Sequence, residues 1–152
     1  MTMRDKLSAA LKDAMRAKEV DRLSTLRLIH AAIKDRDIAA RGEAQDGPVS
    51  DDVILGLLGR MVKQRQESAR AYEEGARLEL AAKELAEIRI IEEYLPRQLT
   101  EAESAKALDA AIAEVGASTI RDMGKVMAAL KARYTGQMDF GRVGPLVKER
   151  LG

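Results

Sequence analysis

The fold is decided by residues 53 to 95, which read VILGLLGRMVKQRQESARAYEEGARLELAAKELAEIRIIEEYL. Apolar residues in the first part of this stretch recur every three or four positions, at Val53, Ile54, Leu57, Leu58, Met61 and Val62. That spacing places them on one face of an α-helix. After Gly75, which favours a helix end, they resume at heptad-like spacing, at Leu78, Ala81, Leu85, Ile88 and Leu95. We therefore predict two long helices that fold back as an antiparallel pair.

The residues before this pair predict two more helices, over about residues 3 to 18 and 21 to 41. Both carry apolar residues at helical spacing: Leu7, Leu11 and Met15 in the first, and Leu26, Ile29 and Ile33 in the second. We expect Asp21 to cap the second helix and Gly42 to end it. The segment GEAQDGPVS that follows has the composition of a loop, and Ser50 is the expected cap of the long helix.

The residues after Pro96 predict a separate module, because proline ends the preceding helix. A capping box at Thr100 and Glu103 starts a new helix, which we expect to stop at Gly116. A second helix is predicted from Thr119 to Gly136, with its buried face at Ile120, Met123, Met127 and Leu130. Asp139 caps a last segment, in which we expect the regular helix to begin only at Pro145.

The predicted architecture is therefore all-α and has two domains. Residues 1 to 96 form an N-terminal helical domain with the long antiparallel pair, and residues 97 to 152 form a small three-helix domain.

Composition narrows the class of protein. The chain has 152 residues, a net charge of +1 and no cysteine, which excludes disulfides, thiolate metal sites and a cysteine nucleophile. The N-terminal residues are interrupted by charges, so we read neither a signal peptide nor a membrane span there. We expect a cytoplasmic protein without membrane association. The nearly neutral charge also predicts that any nucleic-acid binding is weak to moderate.

Catalytic patterns are absent from the sequence. His30 is the only histidine, and no HExxH, GxSxG or phosphate-binding loop motif occurs. Neighbouring acids such as Asp51 and Asp52 point to different sides of a helix, and they are explained by their position in a first helical turn. We therefore predict no catalytic residue, no metal site and no cofactor.

The outward side of the second tail helix is the strongest candidate for a binding surface. About 100° of rotation per residue places Arg121 and Lys125 opposite its apolar face, beside Gly124 and next to Ala128, Ala129 and Ala132. A glycine in an exposed helix interior costs about 1 kcal/mol relative to alanine, so we expect a compensating contact. The alternatives are a closely packed neighbouring helix and the backbone of a ligand, and from the residues alone we favour the helix.

The chain resembles the GatB/YqeY family as a stand-alone YqeY-like protein. The resemblance is carried by LRLIHAAIKDRDI at 26 to 38, by QRQESARAYEEGARLELAAKELAEIRIIEEYLPRQLTEAE at 64 to 103, and by DMGKVMAALKARYTGQMDFGRVGPLVKERL at 122 to 151. It implies an all-helical protein whose tail is similar to that of the B subunit of the tRNA-dependent amidotransferase. In that family the tail is associated with gripping tRNA, away from the amide-forming chemistry.

The resemblance implies a non-catalytic tRNA-associated accessory protein whose N-terminal helices dock an aminoacyl-tRNA synthetase or an amidotransferase. The residues it marks for weak to moderate, salt-sensitive RNA contact are Arg121, Gly124, Lys125, Lys131, Arg133, Arg142 and Lys148. Ala128 and Gln137 depart from the family's basic positions and lower the expected charge. Two alternatives stay open: an accessory component of glutamine-dependent amide transfer, which is carbon–nitrogen ligase chemistry, and a helical protein-interaction module without RNA.

Overall fold

The computed structural model describes residues 2–42 and 47–152, and within these ranges the secondary structure is helical, with no strand. The all-α prediction is therefore confirmed. The chain divides into two compact units, the first ending at Leu95 and the second running from Pro96 to Gly152. Part of the predicted loop, residues 43 to 46, lies outside the described residues.

The first unit contains four described helices. They are α1 (Met3–Ala17), α2 (Val20–Gly42), α3 (Asp51–Glu74) and α4 (Leu78–Glu92). Thr2 caps α1 with a capping box, and Ser50 caps α3 by accepting a hydrogen bond from the Val53 amide. The predicted cap at Asp21 is wrong, because the Glu19 carbonyl already accepts from the Leu23 amide at 2.8 Å. Asp21 instead lies in the first turn of α2.

The predicted antiparallel pair of long helices is confirmed by α3 and α4. A tight turn at Gly75 joins them, and its amide bonds to the Ala71 carbonyl at 3.0 Å. Arg65 and Glu87, which lie equally far from the turn on its two sides, form an ion pair at 2.9 Å. Their side chains are only 15% and 18% exposed, so this pair fixes the register of the two helices from within the packed interface.

The core of the first unit joins all four helices. Its largest fully buried apolar side chains are Leu7, Leu26, Ile29, Ile54, Leu58 and Ile91. Three residues predicted on apolar faces are nevertheless exposed, Met15 at 52%, Leu78 at 67% and Leu85 at 38%. The buried seam of α4 runs through Ala81 and Ile88, so leucines three positions earlier turn about 60° away from it.

The second unit contains α5 (Glu101–Val115), a 3₁₀ turn (Ile120–Asp122), α6 (Met123–Tyr134) and α7 (Phe140–Leu151). Its core draws on all three α-helices, through Leu108, Ala111, Val126, Leu130, Val143 and Val147. The predicted helix end at Gly116 is confirmed, whereas α6 ends at Tyr134, two residues before Gly136. The φ angles of Gly116 and Gly136 are +66° and +82°. Both lie in the left-handed region that favours glycine.

The predicted start and the predicted buried face of the second tail helix are wrong. The second tail helix does not start at Thr119, because the Asp122 carboxylate accepts from the amides of Ser118 and Thr119 and holds a 3₁₀ turn there. Ile120 in that turn is 45% exposed, whereas Val126, which the predicted apolar face omitted, is fully buried.

The last helix starts earlier than predicted, at Phe140, with Asp139 accepting from the Gly141 amide at 3.0 Å. Pro145 lies inside α7 and cannot donate to the Gly141 carbonyl. The helix continues through this position because Val143, Gly144 and Val147 are buried, and tertiary packing overrides local propensity.

Replacing Glu103 by glutamine should reduce the loss of stability at acid pH. Arg97 donates two hydrogen bonds of 2.8 Å to the Glu103 carboxylate, the Thr100 amide donates another, and together they lower the pKa of Glu103 from 4.5 to about 2. A carboxylate with a depressed folded-state pKa stabilises above its unfolded pKa, and that contribution disappears as pH falls from about 4.5 towards 2. Urea unfolding at about pH 7 and pH 2.5 should show the smaller loss in Glu103→Gln. An equal loss in both proteins would contradict this.

Candidate nucleic-acid interface

The outward face of α6 and the 3₁₀ turn before it carry two exposed cations beside small residues. Arg121, Lys125 and Ala128 are all exposed, as is Gly124, and they lie opposite the buried Val126 and Leu130. Within residues 2–42 and 47–152, no carboxylate forms an ion pair with the side chain of Arg121 or Lys125. Both charges are therefore available to a ligand. We call Arg121, Gly124, Lys125 and Ala128 the outward patch.

Gly124 is open to solvent, which overturns the expectation of a closely packed neighbouring helix. A Cβ added at Gly124 would meet no heavy atom within 4 Å. The residue also lies in the first turn of α6, directly after Met123, rather than in the interior of a longer helix. Intramolecular packing therefore does not account for a glycine at this position.

Asp122 shapes the outward patch, and the interpretation of the sequence missed it. Its carboxylate accepts from the Ser118 amide at 3.0 Å and from the Thr119 amide at 3.2 Å. These hydrogen bonds, and to a smaller degree the charge of Lys125, lower the pKa of Asp122. The carboxylate stays ionised and fixes the turn that carries Arg121. The Thr119–Asp122 spacing of a capping box was the available signal.

Lys131 follows Gly124 by seven residues and therefore projects from nearly the same side of α6, two turns further along, whereas Arg133 projects from nearly the opposite side. The Lys131 ammonium lies 6.0 Å from the ring centroid of Phe140, at the start of α7. Arg133 forms an ion pair with Glu114 of α5 at 2.9 Å, which partly neutralises its charge. Of these two predicted contacts, only Arg133 is turned away from the outward patch and paired with an acid.

Arg142 and Lys148 both lie on α7 but on different sides of it, because six residues correspond to about 600° of rotation. The Arg142 guanidinium lies 3.8 Å from the Asp139 carboxylate. Lys148 is exposed, and no acid in the part of the chain that the structure describes forms an ion pair with it. The seven predicted residues thus do not form one continuous basic surface.

The two departures from the family's basic positions have different structural consequences. Ala128 is exposed on the outward patch and adds no bulk to it. Gln137 is part of the connection that closes the second unit. Its side-chain amide donates to the Arg97 carbonyl at 3.1 Å, and its own carbonyl accepts from the Leu99 amide at 2.9 Å. Gln137 is therefore a structural residue here.

His30 also has a structural contact, since its Nε2 lies 3.3 Å from the Leu7 carbonyl and so links α2 to α1. Among the residues that the structure describes, no group of three or more histidine and carboxylate side chains could hold a metal ion. In the same residues, no helix has both the length and the apolar character that crossing a bilayer requires.

The features above define a class, an all-α protein with a four-helix first unit and a compact tail of three α-helices that exposes two cations. A family model described as Yqey-like protein matches residues 4–151. The chain therefore belongs to the Yqey-like protein family, in agreement with the resemblance seen in its sequence.

Several curated relatives carry the name Altered inheritance of mitochondria protein 41, mitochondrial. The chain is 32% identical to that of Vanderwaltozyma polyspora over 89 residues, which cover 59% of this chain and 46% of the relative. It is 31% identical to that of Kluyveromyces lactis over 88 residues, covering 58% and 45%. The chain thus spans about half the length of the curated relatives it matches.

The names of these relatives contradict the prediction of a cytoplasmic location, since they are called mitochondrial proteins. The prediction rested on the absence of cysteine and of a secretory signal. Cysteine usage reports whether a compartment is oxidising, and it does not distinguish one reducing compartment from another.

Proposed function

We propose that this protein is a non-catalytic tRNA-binding accessory protein and that the outward patch of α6 contacts the tRNA backbone. The observation that carries the proposal is the combination of two exposed cations, Arg121 and Lys125, with an open glycine between them. The similarity of the tail to that of the amidotransferase B subunit supports the choice of tRNA. The proposal assigns no catalytic residue.

The chemistry of the patch suits a phosphate backbone. Folded RNA is recognised largely by its shape and through phosphates and 2′-hydroxyls, and side-chain contacts to phosphates position a protein without reading sequence. The small residues Gly124 and Ala128 let an RNA strand approach the helix closely, while Arg121 and Lys125 project beside them and reach its phosphates. With so few phosphate contacts, binding should be modest and should weaken as salt rises.

Filling the patch at Gly124 tests whether it meets RNA. Because a Cβ at this position meets no atom within 4 Å, Gly124→Leu should leave the stability unchanged or raise it by up to about 1 kcal/mol. The added side chain should nevertheless lower the affinity for tRNA by about tenfold, or about 1.4 kcal/mol. A filter-binding titration at low salt measures the affinity, and urea unfolding measures the stability.

Gly56→Leu provides the matched control. Gly56 is exposed on α3, and a Cβ added there also meets no heavy atom within 4 Å. This variant should bind tRNA as the wild type does. If Gly124→Leu also binds as the wild type does, the outward patch does not contact RNA. Loss of affinity in both variants would likewise argue against a contact at α6.

A further inference from the structure

We propose that the first unit carries a second contact for an RNA backbone, formed by a row of three cations along α2. The row consists of Arg27, Lys34 and Arg41, and we call it the α2 row. This inference rests on the proposed function, since it takes RNA as the ligand. It adds a site on a part of the chain to which the proposed function assigns no RNA contact.

The α2 row is a consequence of helix geometry. Its residues are seven positions apart within one helix, Val20–Gly42, so they project from nearly the same side. At 1.5 Å of rise per residue, neighbouring cations are about 10.5 Å apart along the axis. All three side chains are exposed. None of the carboxylates in the described ranges forms an ion pair with any of them.

Among residues 2–42 and 47–152, the charges around the α2 row do not cancel it. Residues one turn away on the same side are Leu23, Ser24, His30, Ala31 and Ile38, none of them acidic. Asp37 lies within a turn of Lys34 and Arg41 but is engaged elsewhere. It accepts from the Arg4 guanidinium at 2.6 Å and from the Val49 amide at 3.0 Å. These two contacts, and less strongly the charge of Arg41, lower the pKa of Asp37.

The α2 row is wholly basic, whereas the basic and acidic residues of the first unit are nearly equal in number. Up to Leu95 the chain holds 17 Lys and Arg against 18 Asp and Glu. On α3, basic and acidic residues alternate at spacings of three and four, as in Lys63 and Glu67 or Arg70 and Glu74. That pattern is typical of a solvated face with local pairing. Along the α2 row the one acid at such a spacing is Asp37, which is engaged by Arg4 and the Val49 amide, so the charge of the row is available to a partner.

An RNA backbone is the occupant that this charge pattern favours. Phosphates follow each other along a strand at distances shorter than 10.5 Å, so each cation of the row can meet one without a fixed register. An anionic lipid surface would be favoured by the exposed Ile38, at 54%. However, a bilayer surface is broad enough to reach Asp21 and Asp35, which are exposed on the other edge of the same helix and would be repelled by anionic headgroups, whereas a single RNA strand can follow the row without meeting them. We therefore assign the row to RNA.

The test compares two triple variants of the full chain. Arg27→Gln, Lys34→Gln and Arg41→Gln together neutralise the α2 row. Arg60→Gln, Arg70→Gln and Arg89→Gln remove the same charge from exposed positions on α3 and α4. With total tRNA, we expect the row variant to bind about tenfold more weakly and its salt slope to fall by about 3, one unit for each contact. The control should stay within about twofold of the wild type.

A third variant, Arg121→Gln with Lys125→Gln, separates this inference from the proposed function. If the row variant matches the control while this variant is weakened, the α2 row is refuted and the outward patch stands. If only the row variant is weakened, the outward patch is refuted and the row stands. No tRNA binding by the wild-type protein would refute both. The RNA assignment would also be refuted if the row variant lost binding to vesicles with anionic headgroups but bound RNA as the wild type does. Matching unfolding midpoints show that all variants fold.

Discussion

Reversing both charges of the outward patch, with Arg121→Glu and Lys125→Glu, should reduce the affinity for tRNA by about a hundredfold at low salt. Each substitution removes an attraction to phosphate and adds a repulsion, and a loss of about 1.4 kcal/mol per position corresponds to this factor. Neither side chain has an ion pair among the described residues to lose, and the two amide contacts of Asp122 hold the turn without Lys125, so the fold should be retained. Filter binding with total tRNA measures the change, and circular dichroism checks the fold.

The control for charge reversal is Lys12→Glu with Arg16→Glu. Both residues are exposed on α1, and the change in net charge is the same. This variant should lose no more than about threefold, because it alters only the long-range field, which salt screens. If the two double variants lose the same affinity, binding depends on overall charge and the outward patch has no specific part in it.

The largest effect on stability is expected for Leu130→Ala. Leu130 is 1% exposed and lies in the core that α6 shares with α5 and α7. Shortening a buried leucine to alanine costs about 2 to 5 kcal/mol, because the cavity left behind collapses only in part. A small unit has few other buried contacts to compensate. Hydrogen exchange of the α5 to α7 amides should show this loss, because exchange resolves stability locally.

Leu146→Ala is the matched control, since Leu146 lies on α7 and is 44% exposed. Its removal should change the stability of the second unit by about 0.5 kcal/mol or less. Equal effects of the two substitutions would show that Leu130 is not part of the core.

The long helices could be predicted from the sequence because their signals are repeated and local. The stripe through Ile54, Leu58 and Met61 repeats over several turns, and caps at Ser50 and Thr100 mark where helices begin. The errors occur where a few hydrogen bonds or long-range packing determine the local backbone structure. Two amide contacts to Asp122 produce a 3₁₀ turn that periodicity does not reveal. Because Val143 and Val147 are buried, α7 stays helical at Pro145.

The candidate site could likewise be predicted only where local periodicity places its residues. Helical periodicity sufficed to place Lys125 on the outward side of α6, whereas Arg121 lies in the 3₁₀ turn before that helix. It could not show that Arg133 meets Glu114 or that Lys131 lies over Phe140, because these contacts depend on which helices flank α6. The surroundings of Gly124 were mispredicted for the same reason, since whether a neighbouring helix covers a position depends on the packing of the whole unit.

Photocrosslinking from position 128 tests the central claim most directly. Ala128 is exposed on the outward patch, so a photoreactive residue placed there in the full chain should form a covalent adduct with tRNA. The same residue at Ala102, which is exposed on α5, serves as the control. We predict an RNA adduct from position 128 that disappears at high salt and is much weaker from position 102. Adducts of equal yield from both positions, or no RNA adduct from position 128, would contradict tRNA binding by the outward patch.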